Sequence, residues 1–351
     1  MLAAPLGATP PMPIPPPPSP NSEAFLAGPE PALTSTGDPK VDAYRDRLLT
    51  DRGAPGWRPY LVRLLAGTRA DPMIVTRFDR LAAIREPQDY VRHYVTPERI
   101  KRGRLHYRAL KRSWKPGGMP LDLRIALWGM LSDYGRNRPQ YDALQALLVL
   151  GAYERGAAPW DFQLHHAANL VLSGAVPRAR LRAYETGRIG QPQILPDRFV
   201  ESARDGNGDK RADVWTSRAD ILASMTVGDW SQYPGMPVYV AVKPARFNLS
   251  DPMDARRARA LDQPNNVPAN ILRRWDGKPW TREQQNWSGS YLEPYGRSGP
   301  AFLMLLPTWP VNSLNPARPR YFNDDKDKGF ALAAGMLADA IAGRPVPVPA
   351  K

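Results

Sequence analysis

Two stretches of this chain, 121–133 and 141–153, constrain its fold more than any other feature. In the first, Leu123, Leu127, Met130 and Leu131 recur at the spacing that places them on one face of a helix, and in the second Leu144, Leu147 and Leu148 do the same. Helices this apolar need other helices to cover them. Weaker helical spacing supplies candidates: Leu48, Leu49, Leu61 and Leu64 within 41–67, its continuation over 73–84, and 161–172, which Ser173, Gly174 and Pro177 close. Thr96 is placed as the N-cap of a basic helix that extends over 105–114 and stops before Pro116-Gly117-Gly118. The pattern predicts a mainly α fold with some β structure (α+β).

Elsewhere the pattern differs. The first 35 residues hold eleven prolines, including Pro15 to Pro18, which favours an extended spacer because proline fixes φ and removes an amide donor. Residues 1–38 are therefore read as a disordered proline-rich tail and 39–232 as the helical domain. A loop-and-strand-rich subdomain or insertion is assigned to 233–300, and a closing strand and helix packing back on the helical domain to 301–345. Val238 to Val242 alternates as a short strand would, and Trp275, Trp280 and Trp287 are read as core plugs before sugar-stacking platforms. Phe330, Ala334, Leu337 and Ile341 recur at helical spacing near the end.

No run approaches the ~18 apolar residues of a membrane helix. The start shows no basic, apolar and small-residue signal pattern, which is read as an export signal already removed. With no cysteine there is neither a disulfide framework nor a thiol nucleophile. The net charge of +14 attracts polyanions, with nucleic acid, anionic lipid and murein carboxylates as the three classes, against a merely solvated arginine-rich surface. No recognition helix, RNA-binding signature or zinc spacing is present, so nucleic acid is not expected.

An acidic turn carries Asp205, Asn207, Asp209, Arg211 and Asp213 at alternate positions, the spacing by which a calcium loop presents oxygen ligands. Lys210 stands where such a loop has its turn glycine, and Thr216 where it has a bidentate carboxylate, so a weak Ca²⁺ site and a plain solvated turn remain as two readings. No cofactor is required by either. His165 and His166 are adjacent and point to different sides of a helix, and His106 has no second metal-ligating histidine near it in sequence, so histidine is not expected to make a metal site.

Four blocks in one order carry a family resemblance over about 42–343. They are Val95 to Gly103; Trp128-Gly129-Met130-Leu131-Ser132-Asp133-Tyr134-Gly135; Gly187 to Pro196 continuing into Asp205 to Trp215; and Gly299 to Leu303 with the last helix. The sequence resembles the membrane-bound lytic murein transglycosylase B-like family, whose corresponding motifs read WGMESDFG, AGAMGxxQFxP and DGDGDGRxDxW. That resemblance implies a lysozyme-like transglycosylase domain acting on or binding peptidoglycan glycan strands in the periplasm or cell envelope, with envelope proteins or anionic surfaces as further partners. It also implies that Gln193, Tyr134, Tyr184, Arg188 and Trp215 line the substrate site.

The family's one catalytic glutamate, which serves first as acid and then as base, falls at Leu131. A leucine has no proton to give. Locally Leu131 is expected to pack as a core residue four positions after Leu127. Tyr184 replaces the family's serine and Arg188 its small alanine, so several positions of the site have changed together. The resemblance therefore points to a catalytically degenerate member. An active enzyme with a displaced acid, Glu185 before Glu154, is the alternative, and a basic polyanion-binding protein is the third reading.

Overall fold

The computed structural model describes residues 23–50, 56–84, 86–114, 120–156, 159–225, 239–242, 250–253, 288–292, 301–306, 325–344 and 346. In chain order the helices are α1 (Glu23–Leu26), α2 (Pro39–Thr50), α3 (Arg58–Leu65), α4 (Pro72–Ala82), α5 (Pro87–Tyr94) and α6 (Pro97–Leu110). They continue with α7 (Leu121–Ser132), α8 (Ala143–Ala152), α9 (Trp160–Leu172), α10 (Phe199–Ser202), α11 (Arg218–Ser224) and α12 (Asp325–Ala342). The strands are β1 (Tyr141–Asp142), β2 (Arg182–Ala183), β3 (Tyr239–Val242), β4 (Ser288–Leu292) and β5 (Ala301–Leu306). Helix dominates, as the apolar spacing requires. The chain forms two units that alternate along the sequence: Met1–Ala83 with Gly135–Ser224, and Ile84–Tyr134 with Met225–Lys351.

In the first unit α8 is the central helix, with α2, α3, α4 and α9 packed around it. Ala143, Leu144, Ala146, Leu147, Leu148, Val149 and Leu150 are all buried, which explains its apolar composition. The helix expected from Tyr141 starts two residues later because Asp142 caps it, accepting from the Gln145 amide at 3.0 Å. Tyr141 and Asp142 instead pair antiparallel with Ala183 and Arg182, and Arg178 forks onto the Asp142 carboxylate. At Gly151 a Cβ would lie 2.2 Å from the Tyr44 hydroxyl, so glycine lets α2 and α8 close together. Residues 23–38, assigned above to a disordered tail, are pinned to this unit. Arg63 donates to the Leu26 and Gly28 carbonyls at 2.8 and 2.9 Å, and Arg45 to that of Thr34 at 2.8 Å.

In the second unit α12 packs against α5, α6 and α7. The expectation that α7 buries one face is corrected here, since both of its ionic residues are buried as well. Asp122 pairs with Arg344 next to α12, while Arg124 donates to the Met225 carbonyl at 3.1 Å and lies over the Trp114 ring. Partnered in this way, charged side chains can occupy a buried helix. Thr96 caps α6 as predicted, accepting from the Arg99 amide at 3.3 Å. The strand expected at 238–242 is β3; it joins β5 and β4 in an antiparallel sheet of order β3-β5-β4. Trp275, Trp280 and Trp287 lie outside the described residues.

Candidate functional site

Helix α7 ends where the chain turns left-handed. Asp133, Tyr134 and Gly135 have φ of 49°, 59° and 82°, and the Asp133 and Tyr134 amides return to the Gly129 and Trp128 carbonyls at 3.2 and 3.4 Å. This is a helix C-terminus closed by backbone bonds, with aspartate where glycine is commoner. The Asp133 carboxylate is occupied by its neighbours: Arg102 donates to it at 2.5 Å and Arg99 lies 3.8 Å away. Tyr134 is buried between the His106 and Trp128 rings and donates its hydroxyl to the Arg99 carbonyl at 2.9 Å; burial pushes its phenol well above the ordinary range.

Within α7, every residue except Leu131 is buried. Leu131 is part-exposed, which corrects its reading as a core residue. The helix spends its buried positions on packing and turns this one position toward solvent.

The remaining expected residues gather in the first unit. Between Tyr184 and Pro196 the chain folds into a tight double turn, in which the Tyr184 amide bonds the Arg188 carbonyl at 2.9 Å and Ile189 and Ile194 exchange amides at 2.8 and 3.0 Å. Tyr184 is buried, and its hydroxyl donates to the Asn137 carbonyl at 2.8 Å. Burial, then the neighbouring Glu185 charge, raises its phenol. Glu185 is part-exposed, as is Gln193, which holds a left-handed φ of 55° and whose carbonyl accepts from the exposed Arg188 at 3.1 Å.

Gln191, absent from the expected set, is the residue that ties this loop down. Buried, it donates its side-chain amide to the Trp215 carbonyl at 2.7 Å and its backbone amide to that of Val214 at 2.9 Å. Trp215 is part-exposed, donating to the Arg182 carbonyl at 3.2 Å and tilted against Phe199. Tyr184, Glu185, Arg188, Gln193 and Trp215 thus share one unit, while Leu131 and Tyr134 belong to the other. Glu154 is exposed in a separate hollow with Tyr44, Arg47, Trp160 and Asp161.

The acidic turn is wrapped around the Asp205 carboxylate. It accepts amides from Asn207, Gly208 and Asp209 on one oxygen at 3.2, 2.6 and 3.2 Å, and from Lys210 on the other at 2.6 Å. Against desolvation, these bonds hold its carboxyl below the ordinary range. Asp205 and Asp209 converge with a residue that the twelve-position template missed. The buried Asp220 at the start of α11 brings its ligand atom within 4.8 Å of both.

Arg211 is exposed and, at the seventh loop position, has its backbone carbonyl to offer as a ligand, while the Asp213 carboxylate is turned to the Trp215 and Thr216 amides at 3.0 and 2.9 Å. Asn207 donates to Asp209 at 3.0 Å. Lys210 has φ 67°, so the backbone adopts a left-handed bend without glycine. Asp205, Asp209 and Asp220 are hard oxygen donors of the kind Ca²⁺ takes, three of the roughly six to eight that it uses.

The sequence profile of the transglycosylase SLT domain family matches residues 42–317. Membrane-bound lytic murein transglycosylase B of Escherichia coli (strain K12) is 21% identical over 214 residues, which span 55% of this chain and 59% of that protein. Among solved structures, SltB3 from Pseudomonas aeruginosa in complex with NAG-NAM-pentapeptide superposes with a TM-score of 0.62 at 24% identity, covering 89% of this chain and 81% of that one. SltB1 from Pseudomonas aeruginosa gives 0.60 at 20% identity over 87% and 99%. The Escherichia coli lytic transglycosylase Slt35 in complex with calcium gives 0.57 at 18% identity over 87% and 93%. The mainly α, lysozyme-like expectation agrees with these folds.

Proposed function

The chain belongs to the transglycosylase SLT domain family, and we propose that it binds the glycan strands of peptidoglycan in the bacterial periplasm without cleaving them. Leu131 carries this reading: the part-exposed position of α7, where the family resemblance puts the acid and base, holds a side chain that cannot exchange a proton. The next carboxylate along the chain, Asp133, is clamped by Arg102 and Arg99. Binding is assigned to the loop around Gln193, whose amide suits an N-acetyl group, with Arg188 and Trp215 beside it. The relative crystallised with NAG-NAM-pentapeptide supports this choice of ligand. We assign a structural Ca²⁺ to Asp205, Asp209 and Asp220, where the ion would join the acidic turn to α11.

An active enzyme using Glu185 is the competing reading, because Glu185 is the one carboxylate between Tyr184 and Pro196. Incubation of the purified chain with murein sacculi separates the two. Non-cleaving binding predicts protein that pellets with the sacculi and a several-fold smaller pelleted fraction for Gln193→Ala. Soluble 1,6-anhydromuropeptides that disappear in Glu185→Gln would establish the enzyme instead, and absence of pelleting would end the glycan reading.

A further inference from the structure

Helix α6 and the turn after it carry seven Lys and Arg residues between 99 and 112 and one acid, Glu98, in the first helical turn. These cations divide by face. Arg99 and Arg102 turn toward Asp133, and Gly103 lies against Tyr134 and Ile341, so that side of the helix is packed within its own unit. The other side presents Lys101, Arg108 and Arg112, all exposed and, among the described residues, without an acidic partner. Arg104 on its flank is tied to the Ala340 carbonyl at 2.9 Å, and Lys111 lies over the Tyr107 ring. At ~100° per residue Lys101, Arg108 and Arg112 fall within about 40° of one another, and Leu105 sits beside them. Leu105 is 60% exposed.

We propose that this stripe docks the protein on an anionic phospholipid surface. Three unneutralised cations along about three helical turns complement a sheet of negative headgroups. The exposed leucine favours lipid among polyanions, since the interfacial zone of a bilayer can bury an apolar side chain between snorkelling cations. The stripe lies opposite the face that packs on α7, so lipid docking leaves Leu131 and its neighbours uncovered by this contact.

The test is co-sedimentation of the full chain with vesicles of phosphatidylcholine alone or with about a third phosphatidylglycerol. The chain is expected to pellet only with the anionic vesicles and to be released by about 0.5 M NaCl. At about fivefold per charge, the triple variant K101Q/R108Q/R112Q should bind on the order of a hundredfold more weakly. Leu105→Ser should weaken binding at constant charge, and an unchanged circular dichroism spectrum for each variant would separate these losses from unfolding. Equal pelleting with neutral and anionic vesicles, or full anionic-vesicle binding by the folded triple variant, would overturn the proposal. Loss of sacculus or DNA binding in that variant, with vesicle binding intact, would also overturn it and reassign the stripe.

Discussion

At the scale of single residues, Lys210 shows how the acidic turn tolerates a departure from its usual sequence. A non-glycine residue at φ 67° is held there by the Asp205 carboxylate bonding its amide. Lys210→Gly should therefore stabilise the folded protein by about 0.5–1 kcal/mol, the removed left-handed strain exceeding the entropy that glycine gains on unfolding. It should also tighten calcium binding by removing a cation; thermal melts with and without calcium measure both. Asp220→Asn should abolish any calcium-dependent rise in Tm and should also lower the calcium-free melt, because the buried carboxylate accepts the Gly206 and Asp213 amides at 2.8 and 2.9 Å and an amide group can accept only one of them. Tyr44, Tyr134 and Tyr184 act through burial, which raises each phenol above its ordinary value of 10.0. Since the folded state resists an ionisation that the unfolded chain undergoes, this stability is complete below about pH 10 and lost as pH rises beyond it. Tm measured from pH 8 to 11 should decline most steeply in the last unit, and by less in Tyr184→Phe.

At the scale of elements, small residues set how closely helices approach. A Cβ at Gly103 would lie 2.5 Å from Ile341 and 2.6 Å from the Tyr134 hydroxyl, so α6 meets α12 and the end of α7 at glycine. Gly103→Ala should cost about 2 kcal/mol through overpacking, read from urea unfolding, whereas Ala109→Gly on the exposed side should cost about 1 through helix propensity alone. Helices such as α7, α8 and α9 were legible because apolar periodicity and caps, as at Thr96 and Asp142, act within a few residues. The burial of Asp122 and Arg124 was not, because it depends on Arg344 and Met225, more than a hundred positions away in sequence. Asp220 escaped for a related reason: it sits outside the twelve-residue calcium template but is folded back onto it by α11. Leu131 continues an apolar face in the sequence, and only the three-dimensional packing of α7 distinguishes its exposure from the burial of Leu127.

At the scale of the whole molecule, the chain has the family's helical fold, and the proposed function turns on Leu131, the position that the resemblance aligns with the family's acid. Leu131 is part-exposed, its neighbour Asp133 is paired with Arg102 and Arg99, and Gln193 is part-exposed on the loop to which the proposal assigns sugar binding. Under the proposed function the chain holds peptidoglycan and has no proton to transfer at Leu131. Mass spectrometry of the soluble products released from murein sacculi by the purified protein tests this most directly. The account predicts no 1,6-anhydromuropeptides above the protein-free control, at protein concentrations where the chain saturates the sacculi. Accumulation of anhydro products with time and enzyme concentration would contradict it.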